Sequence, residues 1–172
     1  ELKNQNIVVE TMAPKFYGEF QKAIDYVGDL DRFKKEYIVH EAIAQHFGYR
    51  LSIHSGSDKF GVYPTIGSVS KRGWHVKTAG TNWLEALRVV AKNEPEFMVE
   101  LYAFAMDNLN AAKAYYAIDA TTSNAMQVKD IDASNVASTL DDDMSRQVLH
   151  VTFGIILTHT VEGVKIYKDR IY

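Results

Sequence analysis

The sequence predicts an α/β fold, a partial (β/α) barrel-like parallel sheet of about five strands with flanking helices. Short apolar runs alternate with longer amphipathic stretches, which is the sequence form of βαβ units. Polar residues gather just past the carboxyl ends of several of those runs, the face on which parallel α/β folds carry their chemistry. The 172 residues are enough for one domain with a real core, and 47% hydrophobic with 24% charged residues is the balance of a globular chain.

The first strand is Ile7-Val8-Val9-Glu10-Thr11-Met12, stopped by Ala13-Pro14 because proline cannot donate to a ladder. A second, shorter run, Ala23-Ile24-Asp25-Tyr26-Val27, is stopped by Gly28. Asp29 or Asp31 then caps a helix whose inward stripe is Phe33, Tyr37, Ile38, Ala42, Ile43 and His46, and Gly48 ends it. Tyr49 to His54 forms a third strand leading into the turn Ser55-Gly56-Ser57-Asp58-Lys59. A fourth lies within Gly73 to Gly80, with Thr81 or Asn82 as cap of a helix through Trp83, Leu84, Leu87, Val90 and Ala91. Pro95 opens another helix carrying Phe97, Leu101, Phe104 and Leu109. The fifth strand is Ala114 to Asp119, followed by a polar loop around Thr121-Thr122-Ser123-Asn124. Asp141-Asp142-Asp143 favours a helix start for Met144 to Leu157, against which the β-branched Val148, Val151, Thr152, Ile155 and Ile156 set a competing strand.

Several function classes are disfavoured. Without cysteine there is no disulfide framework or thiolate zinc site, and a cytoplasmic location is the default. No apolar run reaches the roughly 20 residues of a membrane span, and the first residues, Glu1 to Gln5, lack signal-peptide character. The formal net charge of −3, with bases interspersed among acids, argues against nucleic acid as a partner. No glycine pattern matches a P-loop or dinucleotide fingerprint. The chain begins at Glu1 on the approach to a strand, so it is expected to be a piece of something longer.

Candidate chemistry concentrates at the strand tips. His54 ends one strand and His75 lies in the next, so neighbouring strands would bring two imidazoles to one cation; otherwise each hydrogen-bonds a carbonyl. Ser55, Ser57, Asp58 and Lys59 offer hydroxyls, a carboxylate and an ammonium suited to a hydroxylated anion, although an ordinary Gly-Ser turn has the same residues. Lys77 alternates with His75 and points to the same face, where it can pair with a carboxylate or enolate oxygen. Asp25 is a candidate acid, base or metal ligand, or else a helix cap. Arg146 and His150, four apart, share a helical face, with Arg146 available to a carboxylate. His40, His46 and His159 are given no role.

Two blocks carry a family resemblance: His54-Ser55-Gly56-Ser57-Asp58-Lys59-Phe60 with Val62-Tyr63-Pro64, and His75-Val76-Lys77-Thr78-Ala79-Gly80-Thr81 with Trp83-Leu84-Glu85-Ala86. Both resemble signature blocks of the tagaturonate (tagaturonate/fructuronate) epimerases. The likeness runs from Ala13-Pro14-Lys15-Phe16 and Asp25 to Asp29 through Arg146 to Gly154. It implies a cytoplasmic isomerase of hexuronate catabolism that uses a divalent metal, manganese, nickel, zinc or iron, to interconvert two keto-uronates differing at one carbon. It also implies that residues 1–172 form a single domain, the C-terminal portion of a longer TIM-barrel-like enzyme. Family members are longer, and Tyr116-Ala117 stands where the resemblance leads one to expect a histidine beside the tyrosine.

The implied chemistry is retro-aldol cleavage and re-addition, because the inverted carbon lies β to the ketone and its proton is not acidified by that carbonyl. In this reading His54 and His75 hold the metal, and Asp25 or another acid–base group moves the hydroxyl proton. Ser55, Ser57, Asp58 and Lys59 orient hydroxyls, and Lys77 or Arg146 takes the carboxylate. Two other readings stay open: a metal-dependent aldolase of sugar acids, and a truncated, non-catalytic sugar-acid-binding domain. An eight-stranded barrel needs about 250 residues, so five strands would leave open edges and a homo-oligomer is expected.

Overall fold

The computed structural model describes residues 2–172, and its contacts divide the chain into two compact units. The first runs through Gln21 and continues with Asp25–Thr78; the second holds Lys22–Ile24 and Ala79–Tyr172.

The first unit is a three-stranded parallel sheet with helices. Strand β1 is Thr11–Met12, β2 is Arg50–His54 and β3 is His75–Lys77, in the spatial order β1-β2-β3. Helix α1, Leu30–Phe47, crosses from β1 to β2, and helix α2, Tyr63–Val69, lies between β2 and β3. Asp29 caps α1 by accepting from the Arg32 amide at 2.9 Å, and Gly48 ends it in the left-handed conformation. Phe33, Tyr37 and Ala44 are the buried apolar residues of the helix, packed with Phe16, Leu51, Ile53 and Ile66. Ile38 and Ile43, expected to face inward, are exposed, as is His46. The buried stripe follows Phe33, Tyr37 and Ala44, one helical face at offsets of four and seven, and Ile38 and Ile43 fall to one side of it.

The sheet is smaller than the sequence suggested: three parallel strands instead of about five, and no barrel among the described residues. Of Ile7 to Met12 only the last two residues pair, and Ile7 and Val8 are exposed. The run Ala23 to Val27 is not a strand. Ala23 sits at φ 63, and an isolated antiparallel bridge joins Glu19 to Val27, closing a loop instead. The Tyr26 ring fills that loop so closely against Gly18 that a Cβ there would collide with its hydroxyl.

The second unit is helical. Helix α3 is Thr81–Asn93 and α4 is Pro95–Lys113; α5, Asp143–Val151, and α6, Phe153–Thr158, follow a long segment containing two 3-10 turns at Val128–Asp130 and Val136–Leu140. A two-stranded antiparallel hairpin, β4 Thr160–Val161 with β5 Val164–Lys165, and the short helix α7, Lys168–Ile171, complete it. The core joins Leu84 and Leu87 of α3, Leu101 and Leu109 of α4, and Val148 and Leu149 of α5. Full burial of each such side chain stabilises by roughly 1.5–3 kcal/mol. Gly80, and neither Thr81 nor Asn82, occupies the cap position of α3.

The helix expected from Met144 to Leu157 forms, but Thr152 divides it. Its hydroxyl donates back to the Val148 carbonyl at 2.8 Å, a bond that bends helices. Asp142 caps α5, accepting from the Ser145 amide at 2.8 Å and hydroxyl at 2.6 Å. The fifth expected strand, Ala114 to Asp119, is irregular. The amides of Asp119 and Ala120 donate to the Gln147 side-chain oxygen at 3.1 and 2.9 Å, taking the place of a ladder partner.

Tyr102, fully buried in α4, donates to the Met126 carbonyl at 2.7 Å, and burial pushes its hydroxyl above its ordinary value of 10.0. A raised tyrosine holds its proton more tightly folded than unfolded, so this stabilisation is complete below about pH 10 and is lost as pH rises beyond it. Tyr102→Phe should cost about 1 kcal/mol at neutral pH. It should also flatten part of the alkaline loss, which urea titrations of both proteins at about pH 7 and about pH 10.5 will measure.

Candidate functional site

The parallel pairing of β2 with β3 assembles the polar end of the first unit. In the register Ser52 lies beside His75, and His54 beside Lys77. Side chains alternate along a strand, so Ser52, His54, His75 and Lys77 share one face while Leu51 and Ile53 enter the core on the other. The His54 and His75 rings stand 6.1 Å apart between centroids at 74°.

Ser52 is buried, and its hydroxyl meets His75 Nδ1 at 2.6 Å. That contact fixes the ring and leaves Nε2 as the nitrogen available to a ligand, the usual outer-shell arrangement of metal-binding histidines. Two imidazoles that each reach a shared cation at about 2.0–2.1 Å keep their centres within roughly 6–6.5 Å of one another. The observed separation sits at the outer edge of that span. Among the described residues no three histidine, aspartate or glutamate side chains converge as a metal-binding group.

The turn after β2 is built from the inside. The Gly56 amide donates to the Lys77 carbonyl at 3.1 Å, extending the β2–β3 ladder by one bond. Ser55 donates to the Ser57 carbonyl. Lys59 is fully buried and turns its ammonium back on its own loop, donating to Ser57 Oγ at 2.8 Å and to the carbonyls of Asp58 and Ser57 at 3.2 and 3.3 Å. Ser55, Ser57 and Lys59 are thus buried in the turn, and the half-buried Asp58 accepts from the Tyr63 hydroxyl at 3.2 Å. Burial raises the Tyr63 hydroxyl above its ordinary 10.0, so it remains a donor at neutral pH.

Asp25, placed by the sequence at a strand tip, lies in the loop closed by Glu19 and Val27. Both of its oxygens accept from the Gly61 amide, at 3.1 and 2.9 Å, and one accepts from the Tyr26 amide at 2.6 Å. The carboxylate therefore ties this loop to the end of the Ser55–Phe60 turn. Arg146 belongs to the second unit, where its Nε donates to the Ala23 carbonyl at 3.1 Å and Nη1 to the Leu140 carbonyl at 3.0 Å. His150, one helical turn further, is buried against Gly80, where an added Cβ would collide with the imidazole Cε1.

The family model for tagaturonate epimerase, UxaE, matches residues 1–172. The chain belongs to the tagaturonate epimerase family. It is 37% identical over 169 residues to the tagaturonate/fructuronate epimerase of Thermotoga maritima, covering 98% of this chain and 35% of that protein. Crystal structures of the fructuronate-tagaturonate epimerase UxaE from Cohnella laeviribosi, native and with one glycerol, superpose with a TM-score of 0.93 at 42% identity. They too cover 99% of this chain and 35% of theirs, so the chain spans about a third of the length of these relatives.

Sequence reasoning paired His54 with His75 and placed Lys77 beside them, but it passed over Ser52 and Gly61. Ser52 was legible in principle, since it stands two residues before His54 and so shares its face. Gly61 was not, because its partner Asp25 is 36 residues away.

Asp25→Ala should free the Gly61 amide, so hydrogen exchange across residues 59–63 should speed up by about tenfold or more; unchanged protection there would refute the clamp. Gly80→Ala should drive the His150 ring from its seat and destabilise the second unit by about 1–3 kcal/mol, read from urea unfolding.

Proposed function

We propose that this chain forms part of an epimerase interconverting tagaturonate and fructuronate, and that His54 and His75 supply two ligands to its divalent metal. The reading is supported above all by the Ser52-backed histidine pair on one sheet face of a chain that belongs to this family. The metal is manganese, nickel, zinc or iron, with its remaining ligands drawn from outside this pair. When bound, such a cation supplies Lewis-acid polarisation of the substrate ketone.

The stereocentre to be inverted lies β to the ketone. In the proposed reaction the hydroxyl on that carbon loses its proton, the bond to the α-carbon breaks, and its electron pair passes to the α-carbon as an enolate. The released aldehyde turns its other face and the same bond re-forms, returning the proton to the new hydroxyl, so no atom is gained or lost. Lys77, exposed in register with His54, places an ammonium where negative charge develops on oxygen. Ser52 holds the His75 ring, and the buried Ser55–Lys59 network keeps the turn in one shape while substrate binds and turns. Asp25, engaged by the Gly61 and Tyr26 amides, acts in this scheme as the anchor of that turn, and the hydroxyl proton passes to another group.

Turnover of tagaturonate to fructuronate should vanish on chelation and return on addition of one of the four metals. His54→Ala and His75→Ala should abolish restoration, and Ser52→Ala should weaken metal affinity by about 10–100-fold. Metal content unchanged in His54→Ala would overturn the ligand assignment, and release of a three-carbon product in place of fructuronate would mark an aldolase.

A further inference from the structure

A cleft of about 370 Å³ opens in the first unit where the segment after β1 meets the end of β2. Its walls include Pro14, Phe16, Phe20 and Ile53, and His54 stands at one side. The volume is in the range of small-ligand sites, roughly 300–1,000 Å³. Among its lining residues Lys15 alone carries a full charge.

The backbone on either side of Lys15 is fixed. Pro14 restricts φ before it, and Phe16 after it is buried in an aromatic cluster, its ring 6.0 Å from Phe33, 5.5 Å from Tyr37 and 5.3 Å from His40. The side chain itself is exposed, and among the described residues it forms no ion pair. Lys59 differs in being folded onto its own turn. An ammonium at the rim of a cleft with apolar walls is a point of attachment for an anion. His54 and Lys15 line the same cleft, so a ligand seated in it meets both side chains.

We propose that Lys15 binds the carboxylate of the sugar acid and so selects uronates over neutral ketoses at this site. The proposal rests on the epimerase reading for the identity of the ligand. It departs from the assignment of the carboxylate to Lys77 or Arg146 and leaves Lys77 to the reacting end.

The test is binding of tagaturonate and of the neutral ketose tagatose, by calorimetry, to the metal-loaded full chain and to its Lys15→Met, Lys15→Arg and Lys77→Met variants. Lys15→Met should weaken tagaturonate by about tenfold or more and leave tagatose within about twofold, with Lys15→Arg recovering most of the loss. Equal loss for both sugars, no loss for tagaturonate, or a charge-selective loss in Lys77→Met alone would overturn the proposal. Selective binding through Lys15 with release of a three-carbon product in place of fructuronate would sink the epimerase reading and leave the carboxylate subsite standing.

Discussion

The register of β2 against β3 is the constraint on which the site depends. Because side chains alternate at a period of two, a slip of one residue would send His54 into the core and Ile53 to the polar face. The slip is opposed from both sides of the sheet. Leu51 and Ile53 are buried among Phe33, Tyr37 and Ile66, and on the other face the Ser52–His75 contact is made only in the observed pairing. The same pairing positions the Gly56 amide under the Lys77 carbonyl, so the turn after β2 is held by the sheet it leaves.

The flanking structure extends that control. Phe16, Phe20, Tyr26, Phe33 and Tyr37 form a continuous run of ring contacts that fixes the segment after β1 and the loop after it to α1. From that loop Asp25 reaches the Gly61 amide, so the tip of β2 is gripped from a second direction. The polar tip is therefore a rigid feature built by hydrophobic packing, with its charges added to a surface already shaped. Such an arrangement suits a site whose geometry must persist while a substrate is rearranged.

Much of this was legible in the sequence, and the rest was withheld for physical reasons. The helices α1, α3, α4 and α5 announced themselves through periodic apolar residues and through Asp29, Pro95 and Asp142, whose effects are local. Strands β2 and β3, and the meeting of His54 with His75, followed from alternation and from polar residues at strand tips. Ala23 to Val27 and Ala114 to Asp119 have the composition of strands but lack the partners. In one the chain turns through Ala23, and in the other Gln147 takes the amides a neighbour would have used. Such outcomes depend on residues far away in the chain, and no window of sequence contains them.

Lys59 is an amine enclosed by the turn that carries it. Its ammonium is sealed from solvent by the carbonyls and hydroxyl of its own loop, whereas Lys15 and Lys77 stand open. Acylating reagents and acetyl donors therefore meet two very different classes of lysine within this small unit. Lys59 becomes reactive only in the moments when the turn comes apart, so its rate of labelling is a clock for that opening, carried by the protein without any added probe.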